Sequence, residues 1–393
     1  MLHPLGGGDV KADDFHAPEA GSLVTTLGGA LAFVPAPLPP HIEYDAELVL
    51  ALSRADGALS ELSGLGRQLP DPQRLIAPYL RQEAVLSSRI EGTVTTLSDL
   101  LIDQAGGATT KRERDDLREV RNYVTAMEHG LARLDELPLS LRLVREVHEQ
   151  LLRGVRGGTS APGEFRRIQN WIGPPGSTLA TATYVPPPVP EMTSALALWE
   201  RFLNERDTMP VLVQCALMHE HFEAIHPFLD GNGRVGRLLI TLFLVERERL
   251  SQPLLYLSAF IDAHRNDYYD ALLRVRTEGD WRGWLLFFLA GVAETSERAA
   301  RQATTLMGLR ERYHELLRRA PRAVVLVDEL FRSPYVTTAG AAQALGVSTP
   351  TAKRAMDKLL DAKILEDMGE RAWRRVFVAP EIMRAIETPL EEM

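Results

Sequence analysis

Cysteine is all but missing: the 393-residue chain holds one, Cys215. No disulfide framework can form within the chain, and a single thiol inside the apolar stretch 211–218 reads as a small buried hydrophobe in a reducing compartment. Long apolar runs are missing too. The longest, 284–292, follows Asp280 and Arg282 and falls well short of the roughly 20 residues that cross a bilayer, which predicts a buried helix. Residues 1–40 lack the basic-then-apolar order of a secretory leader, placing Gly6, Gly7, Gly8, Asp13 and Asp14 before any apolar stretch. Together these absences predict a cytoplasmic protein that does not enter a membrane. There is no surplus of positive charge either: 44 Lys and Arg against 53 Asp and Glu give a formal net charge of -9. That excludes a chain-wide nucleic-acid coat while leaving room for a local basic patch. No internal repeat is visible, and no Gly-Lys-Ser/Thr phosphate loop.

A hydrophobic share of 45% is ample for folding, and the length suits two or three packed units at on the order of 100 to 200 residues each. Residues 1–20 read as a flexible N-terminus, and Pro35, Pro37, Pro39 and Pro40 as a stiff extended lead-in. Helical patterns follow over 46–62 and 74–88, and Gly106 and Gly107 mark an exposed loop over 103–111. From residue 112 the stripe Leu117, Val120, Val124, Met127, Leu131 and Leu134 predicts an amphipathic helix. Ser140 caps a helix over 141–153. The Gly-, Pro- and Thr-rich segment 154–190 is too long for an ordinary connector and suggests function. Further helices are predicted over 191–206, 211–224, 233–249, 267–275 and 280–309. The domain plan is therefore a flexible 1–20, an N-terminal helical region 21–110, a core 111–310, a small module 320–380 and a tail 381–393.

One stretch stands apart: His226-Pro227-Phe228-Leu229-Asp230-Gly231-Asn232-Gly233-Arg234-Val235-Gly236-Arg237 lies between two apolar helical runs. Gly231 and Gly233 free the backbone to turn successive N–H groups inward, and the helix that follows points its positive end at the same place, which makes an anion site. Arg234 and Arg237 are neighbours on the first turn of that helix, where two guanidinium groups can hold a polyphosphate. Asp230 supplies a hard oxygen ligand suited to Mg²⁺ bound to phosphates. His226 is left as the nearby group able to accept a proton at neutral pH. A capped loop with solvated charges is the plainer reading of each element alone; twelve residues combining all four weigh against it.

Position by position this stretch resembles the signature of Fic domain proteins, His-x-Phe-x-Asp/Glu-Gly-Asn-Gly-Arg-x-x-Arg. The resemblance implies a mostly α fold, with an all-helical Fic core and a short β-hairpin flap, that transfers AMP from ATP-Mg²⁺ to a hydroxyl of a protein. It gives His226 the role of base, Phe228 that of loop anchor and Asp230 that of Mg²⁺ ligand. Asn232 with the amides of Gly231 and Gly233 would meet the α-phosphate, and Arg234 and Arg237 the β- and γ-phosphates; Gly236 completes the nucleotide-binding run. Upstream, Ser87-Ser88-Arg89-Ile90-Glu91-Gly92 is similar to the family's inhibitory motif Ser/Thr-x-x-x-Glu-Gly/Asn in its N-terminal placement. By that likeness Glu91 pairs with Arg237, keeps it from the γ-phosphate, and could hold a water for the reverse reaction, removal of AMP. Residues 162–166 and 177–188 resemble the flap that takes a target backbone as an added strand, with Thr181, Thr183 and Tyr184 as its contact residues. His264-Arg265-Asn266-Asp267-Tyr268-Tyr269 resembles the helix start that borders adenine, with His264 in place of Asn. Tyr268 and Tyr269 are the adenine neighbours on that reading and core aromatics on the other.

The C-terminal module reads as a helix over 338–345, a turn at Gly346 with a Ser348 cap, and a second helix over 349–360 carrying Lys353, Arg354 and Lys358, the spacing of a helix-turn-helix. Arg371, Trp373, Arg374 and Arg375 resemble a wing, completing a small winged-helix (α+β) domain. Between residues 322 and 378 nine Lys and Arg face seven Asp and Glu, a small surplus that leaves DNA binding through 338–378 and protein contact both open. The sequence thus predicts a self-inhibited protein adenylyltransferase using ATP and Mg²⁺, with a hydroxyl-bearing protein, itself included, as acceptor and a homodimer by analogy. Two alternatives remain: a Fic enzyme moving UMP, phosphocholine or phosphate, and a DNA-binding regulator whose core senses nucleotide.

Overall fold

In the computed structural model, which describes residues 14–68, 72–105, 111–155, 161–174, 176–371 and 374–387, the centre is a helix with no solvent-exposed face. Helix α7 (Val211–Ile225) is buried from Leu212 to its end. Around it and its successor α8 (Asn232–Glu246) pack the other helices: α1 (Ala46–Gln68), α2 (Pro72–Ile90), α3 (Leu97–Gln104), α4 (Lys111–Leu134), α5 (Leu141–Leu151), α6 (Val189–Leu203), α9 (Leu257–Ala263), α10 (Arg265–Glu278) and α11 (Trp281–Leu316). In α4 the apolar stripe behaves as its period dictates, with Leu117, Val120 and Met127 fully buried and Val124, Leu131 and Leu134 packed at the core's edge. Helices α4 and α5 form an antiparallel pair against α8, while α2 lies between α4 and α9 with its C-terminal end at α8.

The N-terminal lead-in is more ordered than its composition suggests. Strands β1 (Gly21–Thr25) and β2 (Leu31–Pro35) pair as an antiparallel hairpin, Gly21 opposite Pro35. Residues 14–20, expected to be flexible, are pinned: Ala17 and Ala20 are buried with Phe33 and Tyr184, Phe15 stacks on Phe33 at 5.4 Å, and His16 N donates to Thr277 O at 2.7 Å. A few apolar side chains without a helical or strand period suffice to anchor this stretch. Residues 1–13, and Gly106 and Gly107 of the expected loop, lie outside the described residues.

Helix α11 runs 36 residues, about 54 Å at 1.5 Å per residue, past the border expected near 309. It carries the core into the C-terminal unit, which comprises α12 (Pro321–Arg332), β3 (Tyr335–Thr337), α13 (Thr338–Leu345), α14 (Thr349–Asp361), β4 (Glu366–Arg371) and β5 (Arg374–Val378). The three strands form an antiparallel sheet in the order β3-β5-β4. Thr337 Oγ1 caps α13 by accepting from Gly340 N at 3.1 Å, and Gly346 closes the same helix at φ +61°, a conformation glycine takes without penalty. Trp373 of the expected wing lies outside the described residues. The predicted tail is in part a helix: α15 (Pro380–Glu387) buries Ile382, Met383 and Ile386 and packs on α11, where Tyr313 OH donates to Glu381 Oε2 at 2.5 Å. No helix among the described residues is long and apolar enough to cross a membrane.

Candidate active site

Helix α7 ends because Pro227 cannot continue it. His226 closes the helix in the left-handed region at φ 48°, ψ 61°, a conformation that costs a non-glycine residue on the order of 1–2 kcal/mol and must be held. Its carbonyl accepts from Arg166 Nε at 3.0 Å and from Asn170 Nδ2 at 3.2 Å, and Asn170 Nδ2 also donates to Phe228 O at 2.9 Å. The loop before α6 therefore clamps the backbone of the motif. Phe228 is buried, stacked face to face on His148 with centroids 3.7 Å apart, and so anchors the loop. His148 bridges further: Gly163 N donates to its Nδ1 at 2.9 Å, which leaves Nε2 as the protonated nitrogen that donates to Asp230 O at 3.0 Å. Burial lowers its pKa to about 4, keeping it neutral in that role.

Gly231 takes φ +79°, the turn that leads directly into α8. Asn232 spends its side chain on the same loop, accepting from Phe228 N at 2.8 Å and donating to Phe228 O at 2.9 Å. The first amides of α8 are consequently aimed into a cleft of about 230 Å³ lined by Glu91, Glu223, His226, Asp230, Gly231, Asn232, Gly233, Arg237, Tyr268, Tyr269 and Arg276. They have no acceptor within the helix and carry the positive end of its dipole.

That end is covered by a carboxylate. A Cβ on Gly233 would lie 2.4 Å from Glu91 Oε1, so the absence of a side chain there is what lets the carboxylate reach the α8 N-terminus. Arg237 donates to Glu91 Oε1 at 2.7 Å through Nη2, to Ser87 Oγ at 2.9 Å through Nε and to Ser87 O at 3.0 Å. Burial alone would raise the Glu91 pKa, but the Arg237 charge and hydrogen bond outweigh it and hold the carboxyl below its ordinary value. Gly92, at φ +101°, turns the chain away immediately afterwards.

The remaining expected site residues divide. His226 lines the cleft, and burial, reinforced by Arg276 and Arg166, lowers its pKa to about 3, so at neutral pH the imidazole is a proton acceptor. Asp230 is half-exposed at 51%, accepts from Gly231 N at 2.7 Å and lies 3.8 Å from Arg234 Nη2. Arg234 itself points to α4, 3.1 Å from Glu119 Oε2, and is not among the cleft-lining residues. Gly236 is not among the cleft-lining residues: a Cβ there would meet Glu223 Oε1 at 2.4 Å and His219 Cε1 at 3.3 Å, so it serves the packing of α8 on α7. Tyr268 and Tyr269 both line the cleft, and Tyr268 is held by a 2.9 Å hydrogen bond to His219 Nε2.

The flap expectation needs correction at Tyr184. The residue is 3% exposed, its hydroxyl donates to Ala224 O at 2.7 Å and the Arg276 guanidinium lies 4.3 Å from the ring centroid, so its side chain is a core element at the cleft wall rather than an exposed contact. Thr183 binds Ile172 O through its hydroxyl at 2.9 Å, and Thr181 is exposed at a turn, accepting from Thr178 N. The paired part of the flap is one bridge, Ile172 to Tyr184, since the prolines on either side withhold the donors a longer ladder needs. Single-sequence reasoning missed His148, Asn170, Glu223 and Arg276, polar groups scattered along the chain that only the fold gathers, and read Arg166 as flap. A buried ion pair, Arg276 Nε to Glu220 Oε1 at 3.0 Å, floors the site.

Two family models match the chain, the Fic/DOC family N-terminal region over residues 49–132 and the Fic/DOC family domain over 138–244. The chain carries a Fic/DOC family domain. In this Fic protein the matched domain ends inside α8 and includes the whole signature. Among relatives, the protein adenylyltransferase Fic of Drosophila yakuba is 29% identical over 213 residues, 53% of this chain and 39% of that one. The protein of the same description from Aedes aegypti is 28% identical over 308 residues, 76% of this chain and 56% of that one. The chain thus spans less than two thirds of either relative's length. A Fic family protein from Desulfovibrio desulfuricans shares the fold, with a TM-score of 0.56 at 21% identity over 87% of this chain and 98% of that one.

Proposed function

We propose that the protein transfers AMP from ATP to a hydroxyl group of a protein, and that Glu91 restrains it. The observation that carries this reading is a neutral imidazole and an anion-binding helix end sharing one cleft, with a carboxylate already seated on that helix end. The description of the relatives as protein adenylyltransferases supports it. In the reaction the acceptor oxygen attacks the α-phosphorus, its proton passes to His226, and the bond to the β-phosphate oxygen breaks to release pyrophosphate. Amides of α8 meet the developing charge, and Arg237 is the cation for the terminal phosphates once it leaves Glu91.

The donor set fits a metal that arrives with the nucleotide. Among the described residues no group of three His, Cys, Asp or Glu could hold a cation alone, but Mg²⁺ with phosphates and waters asks for one or two carboxylates. Asp230, half-exposed beside the α8 start, supplies one; the ion would neutralise phosphate charge there. Transfer of label to protein from α-labelled but not γ-labelled ATP, lost in His226→Ala, is the expected result. Label from the γ-position, or preference for another nucleotide in a panel, would reassign the cargo.

A second reading concerns the C-terminal unit. Lys353, Arg354 and Lys358 are exposed on α14, following α13 and a tight turn, an arrangement that supports a winged-helix role in binding DNA. Duplex binding that weakens steeply with salt and is lost when these three are replaced by Ala would support it; salt-independent or unchanged binding would leave protein contact.

A further inference from the structure

We propose that Glu223 is a positioning residue for His226, its carboxylate accepting the Nδ1 proton of the imidazole so that the other ring nitrogen can take the proton of the acceptor hydroxyl. The proposal rests on the adenylyl-transfer reading for its kinetic consequences, but its structural basis is separate.

Glu223 and His226 lie three residues apart, one helical turn, at the end of α7, and so share a face. Glu223 Oε2 is 3.9 Å from His226 Nδ1. Two buried atoms in this pair have no hydrogen-bond partner, His226 Nδ1 and Glu223 Oε1, although buried polar atoms are rarely left unpaired. A rotation of either side chain by a fraction of an ångström to about one ångström brings the pair to hydrogen-bond distance. Room for the carboxylate is built in from the opposite helix, since Gly236 of α8 leaves the space in which Glu223 Oε1 sits, 2.4 Å from where a Cβ would be. Glu223 also lines the cleft, and Gly236, at a variable position of the signature, gains a reason: it admits the carboxylate that supports the base.

The need for such a partner follows from the charges around the base. Protonated His226 would carry its charge near Arg276 and Arg166, both of which oppose it. A carboxylate on Nδ1 offsets that opposition in the transition state, when the proton arrives. The backbone carbonyl of Glu223 also bears on the ring, and is the competing acceptor for Nδ1. The groups facing the Glu223 carboxyl are Glu220 on α7 and His226 at its end, Arg237 on α8, Glu91 beyond α2, and Arg276, Tyr268 and Tyr269 on α10. Burial dominates over the two arginines and raises its pKa to about 7. A support that works only as a carboxylate is therefore weak below pH 7 and gains strength above it.

The test uses the full chain with Glu91→Gly as background, alone and combined with Glu223→Gln or Glu223→Ala. Expected for Glu223→Gln is a kcat lower by about 10- to 100-fold, a part of the roughly 10²- to 10⁴-fold that a general base supplies, with the KM for ATP within about twofold. The background enzyme should show kcat rising with pH through a midpoint no higher than about 7, because Glu91→Gly removes a charge that raises the Glu223 pKa, and the Gln variant should lose that rise. Independently of turnover, the His226 ring signals of the protein that keeps Glu91, assigned by their loss in His226→Ala, should show a step near pH 7 that disappears in Glu223→Gln. Unchanged kcat and pH profile in Glu223→Gln, or ring signals without the step, would overturn the proposal and leave the backbone carbonyl as the partner. If no form transfers label, the adenylyl-transfer reading fails, and the ring titration alone decides whether Glu223 supports His226.

Discussion

Arg237 is the residue on which the reading of the site turns. Its guanidinium is buried, with a side-chain exposure of 2%, and it spends its donors on Glu91 and on both oxygens of Ser87. A fork committed in this way cannot also meet a terminal phosphate at full geometry. Ser87→Ala removes one acceptor from a charged donor, a loss of about 1.5–3 kcal/mol. The expected outcome is a partial release, with basal transfer above wild type and below Glu91→Gly, measured as label incorporated per minute. Asn232 is different in kind, because its side chain is closed on the Phe228 backbone. Asn232→Ala strands the buried N–H of Phe228, whose carbonyl keeps its bond from Asn170, costing about 1–3 kcal/mol, and should lower the melting temperature and the transfer rate together. A rate loss with unchanged melting would show instead that the amide touches the nucleotide.

At the scale of elements, the α7–α8 corner explains why the site was largely readable from sequence. His226, the glycines and Arg237 are contiguous, and a tight turn between two helices brings them together without help from distant parts of the chain. Gly231 and Gly233 announced the turn, and Glu91 was legible through its spacing from Ser87. What was not legible depends on helices meeting across the core. Arg234 turns to Glu119 of α4, Gly236 faces Glu223, and Tyr184 is absorbed beneath Arg276; no local pattern encodes these neighbours. Gly236→Ala is the element-scale test, since its methyl must displace the Glu223 carboxylate. It should lower kcat of the Glu91→Gly protein while leaving ATP affinity, measured by calorimetry, near that of its parent.

For the whole molecule, α2 joins the two ends of the architecture, packing on α12 of the C-terminal unit and delivering Glu91 to α8 at its other end. Residues 14–20 close the body where a short apolar cluster, rather than a periodic run, supplies the contacts, and α15 where a helical pattern only eight residues long does, which is why composition suggested loose ends. The clamp also has a pH signature. Burial would raise the Glu91 pKa, but Arg237 outweighs it and the folded value lies below the ordinary 4.5. The stability it adds is therefore present above that range and lost as pH falls through the depressed value. Melting curves of wild type and Glu91→Gly should differ most between about pH 5 and 7, less above about 7 where the ionised Glu223 repels Glu91, and converge below about 4.5. The brake thus holds across neutral pH, where Glu223 changes charge.

The most direct test of the central claim is label transfer from α-labelled ATP with Mg²⁺ to the protein itself in wild type, Glu91→Gly and the double variant Glu91→Gly/His226→Ala. Low incorporation in wild type, a rise of at least about tenfold in Glu91→Gly, as expected from losing an interaction of about 1.4 kcal/mol or more, and none in the double variant is the expected result. Equal incorporation in wild type and Glu91→Gly would contradict the claim that this carboxylate restrains the site, and label that survives His226→Ala would contradict the assignment of the base.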